Sequence, residues 1–309
     1  MLNIQENVPL APFTTFHIGG KARFFVETNG LSELAEALKY AEEQALSVYV
    51  LGGGSNVIFS DKGFAGLVIR LRDSGMQISG DKIICGAGSA LFDVVRKAVD
   101  CGLAGIESLA GIPGSLGGAI RGNAGAFGTE IGNKIASVKV FTQDTGKMKE
   151  YRNNECEFGY RTSIFKKNPK LTILSAEIKL TAGNTSELEK IMNATVAKRE
   201  AKHPQNAKCA GSFFMNPVVK DEKLREEFAK DTGMSQKGDV LPAGWLIDHA
   251  GLRGKRVGGA MVSQRHPNYL VNTGNATAED VIMLASLIKT RVRDELNVKL
   301  QEEVQFVGF

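Results

Sequence analysis

The stretch Leu51-Gly-Gly-Gly-Ser-Asn-Val-Ile-Phe59 decides the fold, because it passes from one predicted strand into another through consecutive glycines. Glycine adopts positive φ readily and lets another molecule approach the main chain closely. Successive exposed N–H groups in such a bend form an anion-binding concavity. The bend therefore predicts a phosphate cradle, and a glycine-rich hairpin without a ligand is the alternative. The candidate cradle residues are Gly52, Gly53, Gly54 and Ser55.

The strand after the glycines narrows the class of fold. A G-x-G-x-x-G fingerprint has to follow a strand and open a helix, whereas Val57-Ile58-Phe59 is typical of a strand. The pattern argues against a Rossmann site and favours a dinucleotide-binding fold of another kind.

A second glycine-dense run extends from Gly102 to Gly128 and is GLAGIESLAGIPGSLGGAIRGNAGAFG. Each interior glycine costs a helix about 1 kcal/mol relative to alanine, which argues against a regular helix. The interspersed Leu, Ile, Ala and Phe residues exclude a polar linker. The run predicts main chain packed flat against a planar ligand, with a close backbone–backbone crossing in the core as the alternative.

Composition excludes several classes of protein. The chain has 309 residues and a net charge of +4, which is enough for two ordinary domains and supplies no Lys/Arg block for a nucleic-acid groove. Its first residues lack the pattern of a signal peptide, and no run is long and apolar enough for membrane insertion. We therefore expect a cytoplasmic protein. The sequence leaves the oligomeric state open, and a monomer is compatible with it.

Cysteine and histidine spacing predicts no metal site. The chain has no C-x-x-C and no H-E-x-x-H motif, so its cysteines are expected to be reduced thiols. The cysteines are Cys85, Cys101, Cys156 and Cys209.

Local patterns predict an α+β chain with a domain boundary near residue 190. Predicted strands cover 47–51, 57–59, 66–71, 171–180 and 298–307, with hairpins at 76–85 and 136–151. Predicted helices cover 31–45, 90–101, 188–201, 221–230 and 278–296. Side-chain caps are expected from Ser32, Ser89, Ser186 with Glu189, and Thr277, and His203-Pro204 is expected to end the third helix.

Three further places could carry chemistry. Arg161 either pairs with the nearby Glu155 and Glu157 or serves as a fixed cationic donor to an anion or enolate. Ser212 lies among small and aromatic residues outside any G-x-S-x-G motif, so a structural turn serine is its default interpretation from this stretch alone.

The last predicted strand carries two adjacent acids, Glu302 and Glu303. Alternation places Glu302 on the face of Leu300, Val304 and Phe306, and Glu303 on the opposite face. Such acids are usually solvated, but a carboxylate on a strand can also orient or protonate a reacting group.

In this order, the motifs together resemble the UDP-N-acetylenolpyruvoylglucosamine reductase family, flavoenzymes of peptidoglycan precursor synthesis. The resemblance covers nearly the whole chain. It is carried by TTFHIGG from Thr14, LGGGSNVIF from Leu51, GIPGSLGGAIRGNAGAFG from Gly111, GYRTSIF from Gly159, AGSFFMNP from Ala210, PAGWLIDHAGLRG from Pro242 and LQEEVQF from Leu300.

The resemblance implies a fold and a cofactor. It implies an FAD-binding region of the PCMH or vanillyl-alcohol-oxidase type at 1–190, with α+β subdomains of about 1–70 and 71–190. It also implies a C-terminal α+β substrate-binding domain at 191–309, whose last strand returns to the flavin site. FAD would be non-covalent, since neither glycine loop contains His or Cys. Its predicted contacts are Gly52, Gly53, Gly54, Ser55, Asn56, Ile112, Pro113, Gly114, Ser115, Gly117, Gly118 and Asn123.

The resemblance also implies residue roles. Ser212 would protonate the substrate carbon, while Arg161 and Glu303 would stabilise the enol intermediate. Lys202 and Asn216 would contact the substrate, UDP-N-acetylglucosamine enolpyruvate, and NADPH would be the co-substrate. The segment Ser163–Leu174 is too short for the family's inserted tyrosine loop, which implies the shorter, second type.

The sequence departs from the family at three places. His17 stands where the family often has arginine, His249 stands where it often has glutamine, and Arg121-Gly122 replaces a commonly larger apolar pair. Two rivals stay open: a flavin-dependent oxidase of the same fold, and a catalytically silent flavin- or nucleotide-binding module. A glycine-rich α+β protein without a ligand would be colourless.

Overall fold

The computed structural model describes residues 2–202, 207–233 and 238–309. The chain forms two compact units, each built from separate segments. The first unit contains Met1–Val8, Ala22–Gly53 and Ala65–Ala201, and the second contains Pro9–Lys21, Gly54–Phe64 and Lys202–Phe309. The domain boundary near residue 190 stays a prediction, and His203-Pro204 lies outside the described residues.

The first unit contains two main sheets. A four-stranded sheet has the order Gln5–Pro9, Lys21–Thr28, Phe64–Leu71, Val48–Leu51, and its last two strands are parallel. A five-stranded antiparallel sheet has the order Lys147–Arg152, Ile135–Thr142, Leu171–Lys179, Lys82–Gly86, Met76–Ser79. Both predicted hairpins are confirmed in this second sheet.

Helices cover the sheets of the first unit with their apolar faces. Leu91–Asp100 buries Leu91, Val94, Val95 and Ala98 in one core, with Ile83 and Ile178 of the five-stranded sheet. Leu31–Glu43 packs in a second core, with Val26 and Ile69 of the four-stranded sheet. The other helices beginning in this unit are Leu116–Arg121, Ile164–Lys167 and Thr185–Lys202.

The second unit has an antiparallel sheet of order Lys208–Cys209, Leu270–Asn272, Ala260–Val262, Arg256–Val257. The strand Gln305–Val307 pairs in parallel with Val57–Phe59. The helices are Glu222–Thr232, Ala243–His249 and Ala278–Leu296. The longest of them buries an apolar stripe in this unit's core, formed by Val281, Leu284, Ala285, Ile288 and Val292.

Short elements complete the chain. Two-residue strand pairs join Leu103–Ala104 to Thr181–Ala182 and Gly125–Ala126 to Thr129–Glu130. Single 3₁₀ turns lie at Ala11–Phe13, Glu107–Leu109, Ile131–Asn133 and Asn153–Glu155. In the described ranges, no helix is both long enough and apolar enough to span a bilayer.

Three predicted serine caps are wrong, because another residue than the predicted serine precedes each helix. The helix Leu31–Glu43 follows Gly30, and Leu91–Asp100 follows Ala90, both without a side-chain cap. The helix predicted from residue 188 begins at Thr185, where Asn184 Oδ1 accepts from Glu187 N at 3.1 Å. Thr277 is confirmed as a cap, with a reciprocal contact to Asp280.

Two larger predictions also need correction. The glycine-dense run contains a regular helical turn at Leu116–Arg121, because Ser115 caps it by accepting from Gly118 N. The strand predicted over 298–307 is limited to Gln305–Val307, with one isolated bridge at Glu302. The alternation fails toward its end, since Phe306 is exposed while Val307 is buried.

Candidate active site

The two glycine bends lie against each other in the first unit. A Cβ added to Gly52 would come within 2.4 Å of Ser115 Oγ, and one added to Gly53 within 2.6 Å of Gly114 Cα. Gly53 is therefore required by a close backbone crossing, which was the alternative to a ligand for the second run, and Gly52 is required by the Ser115 side chain. The crossing still leaves main chain accessible at Gly53 and Gly118, which are exposed and have no side chain.

Asn123 organises the end of the second bend. Its backbone has φ 45°, in the left-handed region, and its side chain is 1% exposed. Oδ1 accepts from Gly132 N, while Nδ2 donates to Glu130 Oε2 and Gly159 O, all at 2.9 Å. The predicted cofactor contact thus fixes the turn that leads to Arg161.

Arg161 is hydrogen-bonded to the same bend. Its own φ is 55°, and its guanidinium donates from Nη2 to Gly125 O at 3.0 Å and from Nη1 to Asn123 O at 3.5 Å. Glu155 and Glu157 are the alternative partners that the sequence offers for Arg161, and Glu157 accepts from Lys167 Nζ at 2.7 Å. The other, Glu155, accepts from Arg152 N at 2.8 Å. Arg161 is a fixed cation beside the second glycine bend.

Arg121 has a different environment. Burial lowers the pKa of its guanidinium, and the nearby Tyr49 opposes that shift. Burial raises the pKa of Tyr49 to about 12, with a smaller lowering by Arg121. Arg121 O also accepts from Ser163 Oγ at 2.7 Å.

The rest of the first glycine bend belongs to the second unit. Gly54 O accepts from Thr15 N at 3.0 Å, and a Cβ on Gly54 would come within 2.0 Å of Phe13 O. Thr15 Oγ1 donates to Cys209 O at 2.6 Å. Thr15 therefore connects the bend to the segment that leads to Ser212.

Ser212 and Glu303 lie on paired segments. Glu303 N donates to Phe213 O at 2.8 Å, Met215 N donates to Gln301 O at 2.9 Å, and Phe214 opposes Glu302. Asn56 Nδ2 donates to Glu303 O at 3.3 Å. The structure thus brings together two of the predicted catalytic residues and one predicted cofactor contact.

The two adjacent acids have different surroundings. Glu302 forms an ion pair with Lys289 Nζ at 2.6 Å, on the helix Ala278–Leu296, which gives it a structural role. Glu303 is partly buried on the segment paired with Phe213.

A cavity of about 400 Å³ lies beside Ser212 in the second unit. Asn216 is on its wall and accepts at Oδ1 from Ala243 N at 3.0 Å. The other lining residues are Pro242, Gly244, Trp245, Asp248, Arg253, His266, Pro267 and Asn268. The Arg253 guanidinium pairs with both carboxylate oxygens of Asp248.

His266 lines this cavity, and its pKa lies below the usual value. Burial lowers its pKa, and the positive charges of Arg253 and Lys202 lower it further. Its Nδ1 accepts from Asn268 N at 3.3 Å, which requires that nitrogen to be unprotonated. Lys202, predicted to contact substrate, is exposed and lies within electrostatic reach of this cavity.

Two residues near this region have structural surroundings. Burial raises the pKa of the Cys209 thiol, so it stays protonated and a poor nucleophile. His249 stacks on Trp245 with 4.6 Å between ring centroids and faces Glu227 at 3.4 Å. His17, which also differs from the residue common in the family, has φ 54° at the end of a tight turn.

The comparisons with known proteins agree in one family. Residues 203–307 match the UDP-N-acetylenolpyruvoylglucosamine reductase C-terminal domain, and residues 22–152 match an FAD binding domain. The UDP-N-acetylenolpyruvoylglucosamine reductase of Solibacter usitatus is 37% identical over 99% of this chain and 97% of its own. That of Carboxydothermus hydrogenoformans is 38% identical over 99% and 94%. This chain belongs to the UDP-N-acetylenolpyruvoylglucosamine reductase family.

A solved member of that family has the same fold. The crystal structure of UDP-N-acetylenolpyruvylglucosamine reductase from Thermus caldophilus matches with a TM-score of 0.79 at 32% identity, covering 99% of this chain and 100% of that one. The predicted fold class is confirmed: an α+β chain with a PCMH-like FAD-binding fold and a separate C-terminal domain.

Sequence reasoning missed three residues of the second unit. Thr15, His266 and Asn268 each connect to the Ser212 segment or its cavity. A signal was present, because His266-Pro-Asn268 places polar groups directly before the apolar residues Tyr269, Leu270 and Val271. Arg161 lies in the first unit and Ser212 with Glu303 in the second, so their joint action stays a prediction.

Proposed function

We propose that this protein is a cytoplasmic flavoenzyme that uses NADPH to reduce UDP-N-acetylglucosamine enolpyruvate to UDP-N-acetylmuramate, a peptidoglycan precursor. Membership in the reductase family and the full-length relatives support this activity. The observation that carries the proposal is the pairing of the Ser212 segment with Glu303 beside a cavity that also contains Asn216.

The residues of the two glycine bends fit FAD. Main chain is exposed at Gly53 and Gly118, where a planar or phosphorylated ligand can approach without meeting a side chain of these residues. Ser55 and Asn56 continue the first bend, and Ser115 and Asn123 fix the second. When bound, FAD supplies the redox chemistry, taking a hydride from NADPH and returning it to the enolpyruvyl double bond.

Ser212 serves as the proton donor to the substrate carbon that does not receive the hydride. A positioned general acid contributes about 10²–10⁴-fold to a rate. A serine hydroxyl is a weak acid, so its orientation has to be fixed, and the hydrogen bonds of Phe213 and Phe214 on both sides supply that restraint. Glu303 adds a polar group on the neighbouring segment.

Arg161 stabilises the negative charge that develops on the enol and its carboxylate. One preorganised donor of this kind is worth about 2.7–4 kcal/mol. Its contacts with Gly125 O and Asn123 O hold the guanidinium in place before substrate arrives. No reorganisation energy is then spent in the transition state.

The cavity beside Ser212 receives part of the UDP-sugar. Its volume of about 400 Å³ is in the range of small-molecule sites. Asn216 supplies an amide on the wall, and the ammonium of Lys202 attracts the diphosphate. The chain's net charge of +4 favours the approach of this anionic substrate.

The test separates the two half-reactions by stopped-flow absorbance of the flavin. Wild-type protein should be yellow, be bleached by NADPH, and be reoxidised by the enolpyruvyl sugar under anaerobic conditions. Ser212→Ala should keep flavin content and bleaching but lose about 10²-fold or more in reoxidation. Arg161→Ala should lose about 10²–10³-fold in the same step.

The outcomes also decide between the rivals. Reoxidation by oxygen but not by the sugar would identify an oxidase, and a flavin that NADPH does not bleach would indicate a binding module. Wild-type reoxidation in Ser212→Ala would remove that serine from the mechanism. Loss of flavin from Arg161→Ala in proportion to activity would make Arg161 structural.

A further inference from the structure

Asn268 holds the main chain next to Ser212 through its side-chain amide. Its Oδ1 accepts from Phe214 N at 2.9 Å, and its Nδ2 donates to Phe214 O at 2.8 Å. Asn268 O also accepts from Phe213 N at 2.7 Å. The residue is 3% exposed, so these contacts are made away from water, where breaking them is costly.

The same segment is held on its other edge by the chain's C-terminal part. Glu303 N donates to Phe213 O, and Met215 N donates to Gln301 O. Phe213 and Phe214 are therefore hydrogen-bonded on two sides, to Asn268 on one side and to Glu303 on the other. Only the Asn268 side depends on a side chain, and that side is open to substitution.

We infer that Asn268 is a positioning residue, whose amide fixes the Phe213–Phe214 backbone and thereby sets the direction of the Ser212 hydroxyl relative to Glu303. This inference rests on the proposed function of Ser212 as the proton donor. Asn268 lines the cavity with Ser212, but both polar atoms of its side chain are engaged by Phe214. Asn268 therefore acts on the reaction through the backbone of Phe213 and Phe214.

An aspartate at this position makes the restraint titratable. A neutral carboxyl can replace the amide, since its O–H donates to Phe214 O and its other oxygen accepts from Phe214 N. An ionised carboxylate has no donor and places negative charge against Phe214 O. Burial and hydrogen bonding of the neutral form raise the pKa of a buried carboxyl above its usual value of about 3.9. Activity should therefore fall as pH rises through that raised pKa.

The experiment measures flavin reoxidation by the enolpyruvyl sugar in N268D between about pH 5 and 9, a window set by the size of such pKa shifts. We expect reoxidation near the wild-type rate at the acid end and about 10–100-fold slower at the alkaline end, the effect of a misplaced catalytic group. Reduction by NADPH should follow the wild-type profile. The other titratable groups nearby are His266, Asp248, Arg253, Glu302 and Glu303, and wild-type protein gives their contribution.

Asn272 provides a matched control. Its side chain is also buried, donates from Nδ2 to Phe16 O at 3.2 Å, and accepts at Oδ1 from Gly274 N and Ala276 N. Asn272→Asp therefore introduces the same buried charge into the same unit without a side-chain contact to Phe214. In N272D the Gly274 and Ala276 N–H groups still donate to an ionised carboxylate, so only N268D should lose reoxidation selectively as pH rises.

A second variant and a second measurement cover loss of folding and failure of the activity itself. N268A removes both hydrogen bonds without adding charge, so its reoxidation should be slow at every pH. Hydrogen exchange, compared at the alkaline end of this pH window, should be faster at Phe213 and Phe214 in N268D than in wild type or N272D. This readout needs no turnover and stays decisive even if the sugar does not reoxidise wild-type flavin, which would refute the proposed function instead. A wild-type pH profile in N268D, an equal loss in N272D, or unchanged exchange at Phe214 would overturn the inference.

Discussion

Replacing Asn123 should destabilise the first unit more than any nearby surface change. Asn123→Ala removes three hydrogen bonds of the side chain, to Gly132 N, Glu130 Oε2 and Gly159 O, each 2.9 Å long. The site is 1% exposed, so water cannot take the place of the lost amide. The same change puts alanine at φ 45°, a conformation that alanine adopts only at a cost.

The size of the effect follows from these contacts. A neutral hydrogen bond contributes about 1 kcal/mol, one to a charged group about 1.5–3, and a buried group left unpaired costs about 1–3 kcal/mol. The three contacts together are worth about 4 kcal/mol, and a left-handed backbone adds about 1 kcal/mol for alanine. A loss near 5 kcal/mol corresponds to a fall in Tm of more than about 10 °C.

Asn123→Gly is the matched variant, because it removes the same bonds while accepting positive φ. Thermal unfolding followed by circular dichroism should give a lower Tm for both variants, with glycine retaining about 1 kcal/mol relative to alanine. A Tm of Asn123→Ala within about 2 °C of wild type, less than the shift of a single kcal/mol, would refute this account of the turn. Equal Tm values for the two variants would show that the positive φ at position 123 contributes nothing, and would leave the account of the hydrogen bonds unchanged.

Two further pairs of variants test the site. Glu303→Gln should slow reoxidation by about 10²-fold. Glu302→Gln breaks only a partly exposed ion pair with Lys289, so it should change stability by at most about 1 kcal/mol and leave reoxidation intact. The reverse ranking would mean that the wrong glutamate has been assigned as the enol stabiliser. Gly118→Ala adds a Cβ that meets only Ser115 Oγ, at 3.5 Å, so the fold should persist while FAD binding weakens about tenfold or more, a loss of about 1.4 kcal/mol. Gly53→Ala should instead lower the Tm of the protein without flavin, because its Cβ would collide with Gly114 Cα at 2.6 Å. Unchanged FAD affinity in Gly118→Ala, measured by fluorescence titration, would show that this main chain does not contact the cofactor.

Local sequence signals were sufficient where neighbouring residues determine the structure. Thr277 and Asp280 are close enough in the chain to cap the helix Ala278–Leu296 reciprocally, and the stripe from Val281 to Val292 then defines its buried face. The glycine bend after Leu51 was equally readable, since strands on both sides leave no room for a helix.

Sequence patterns failed where the structure depends on contacts between residues that are distant in the sequence. The pattern over 298–307 alternates like a strand, yet only Gln305–Val307 finds a continuous partner, in Val57–Phe59. The requirement for glycine at 52 and 53 comes from Gly114 and Ser115, more than sixty residues away. No periodicity could assign Asn268 to Phe214 either, because that contact spans 54 positions. Tertiary packing, not local propensity, determines these three features.

The segments that carry the proposed chemistry of the second unit are joined mostly by main-chain hydrogen bonds, with side-chain amides at Asn56 and Asn268. Phe213 O accepts from Glu303 N, Glu303 O accepts from Asn56 Nδ2, and Asn56 O accepts from Gln305 N. Phe213 next to the proposed proton donor, the proposed enol stabiliser Glu303, and Asn56 after the glycines are therefore successive members of one hydrogen-bonded network. Groups held by such a network keep their geometry better than groups on loops. A weak acid such as serine can then serve as a proton donor, because its position is fixed before the substrate enters.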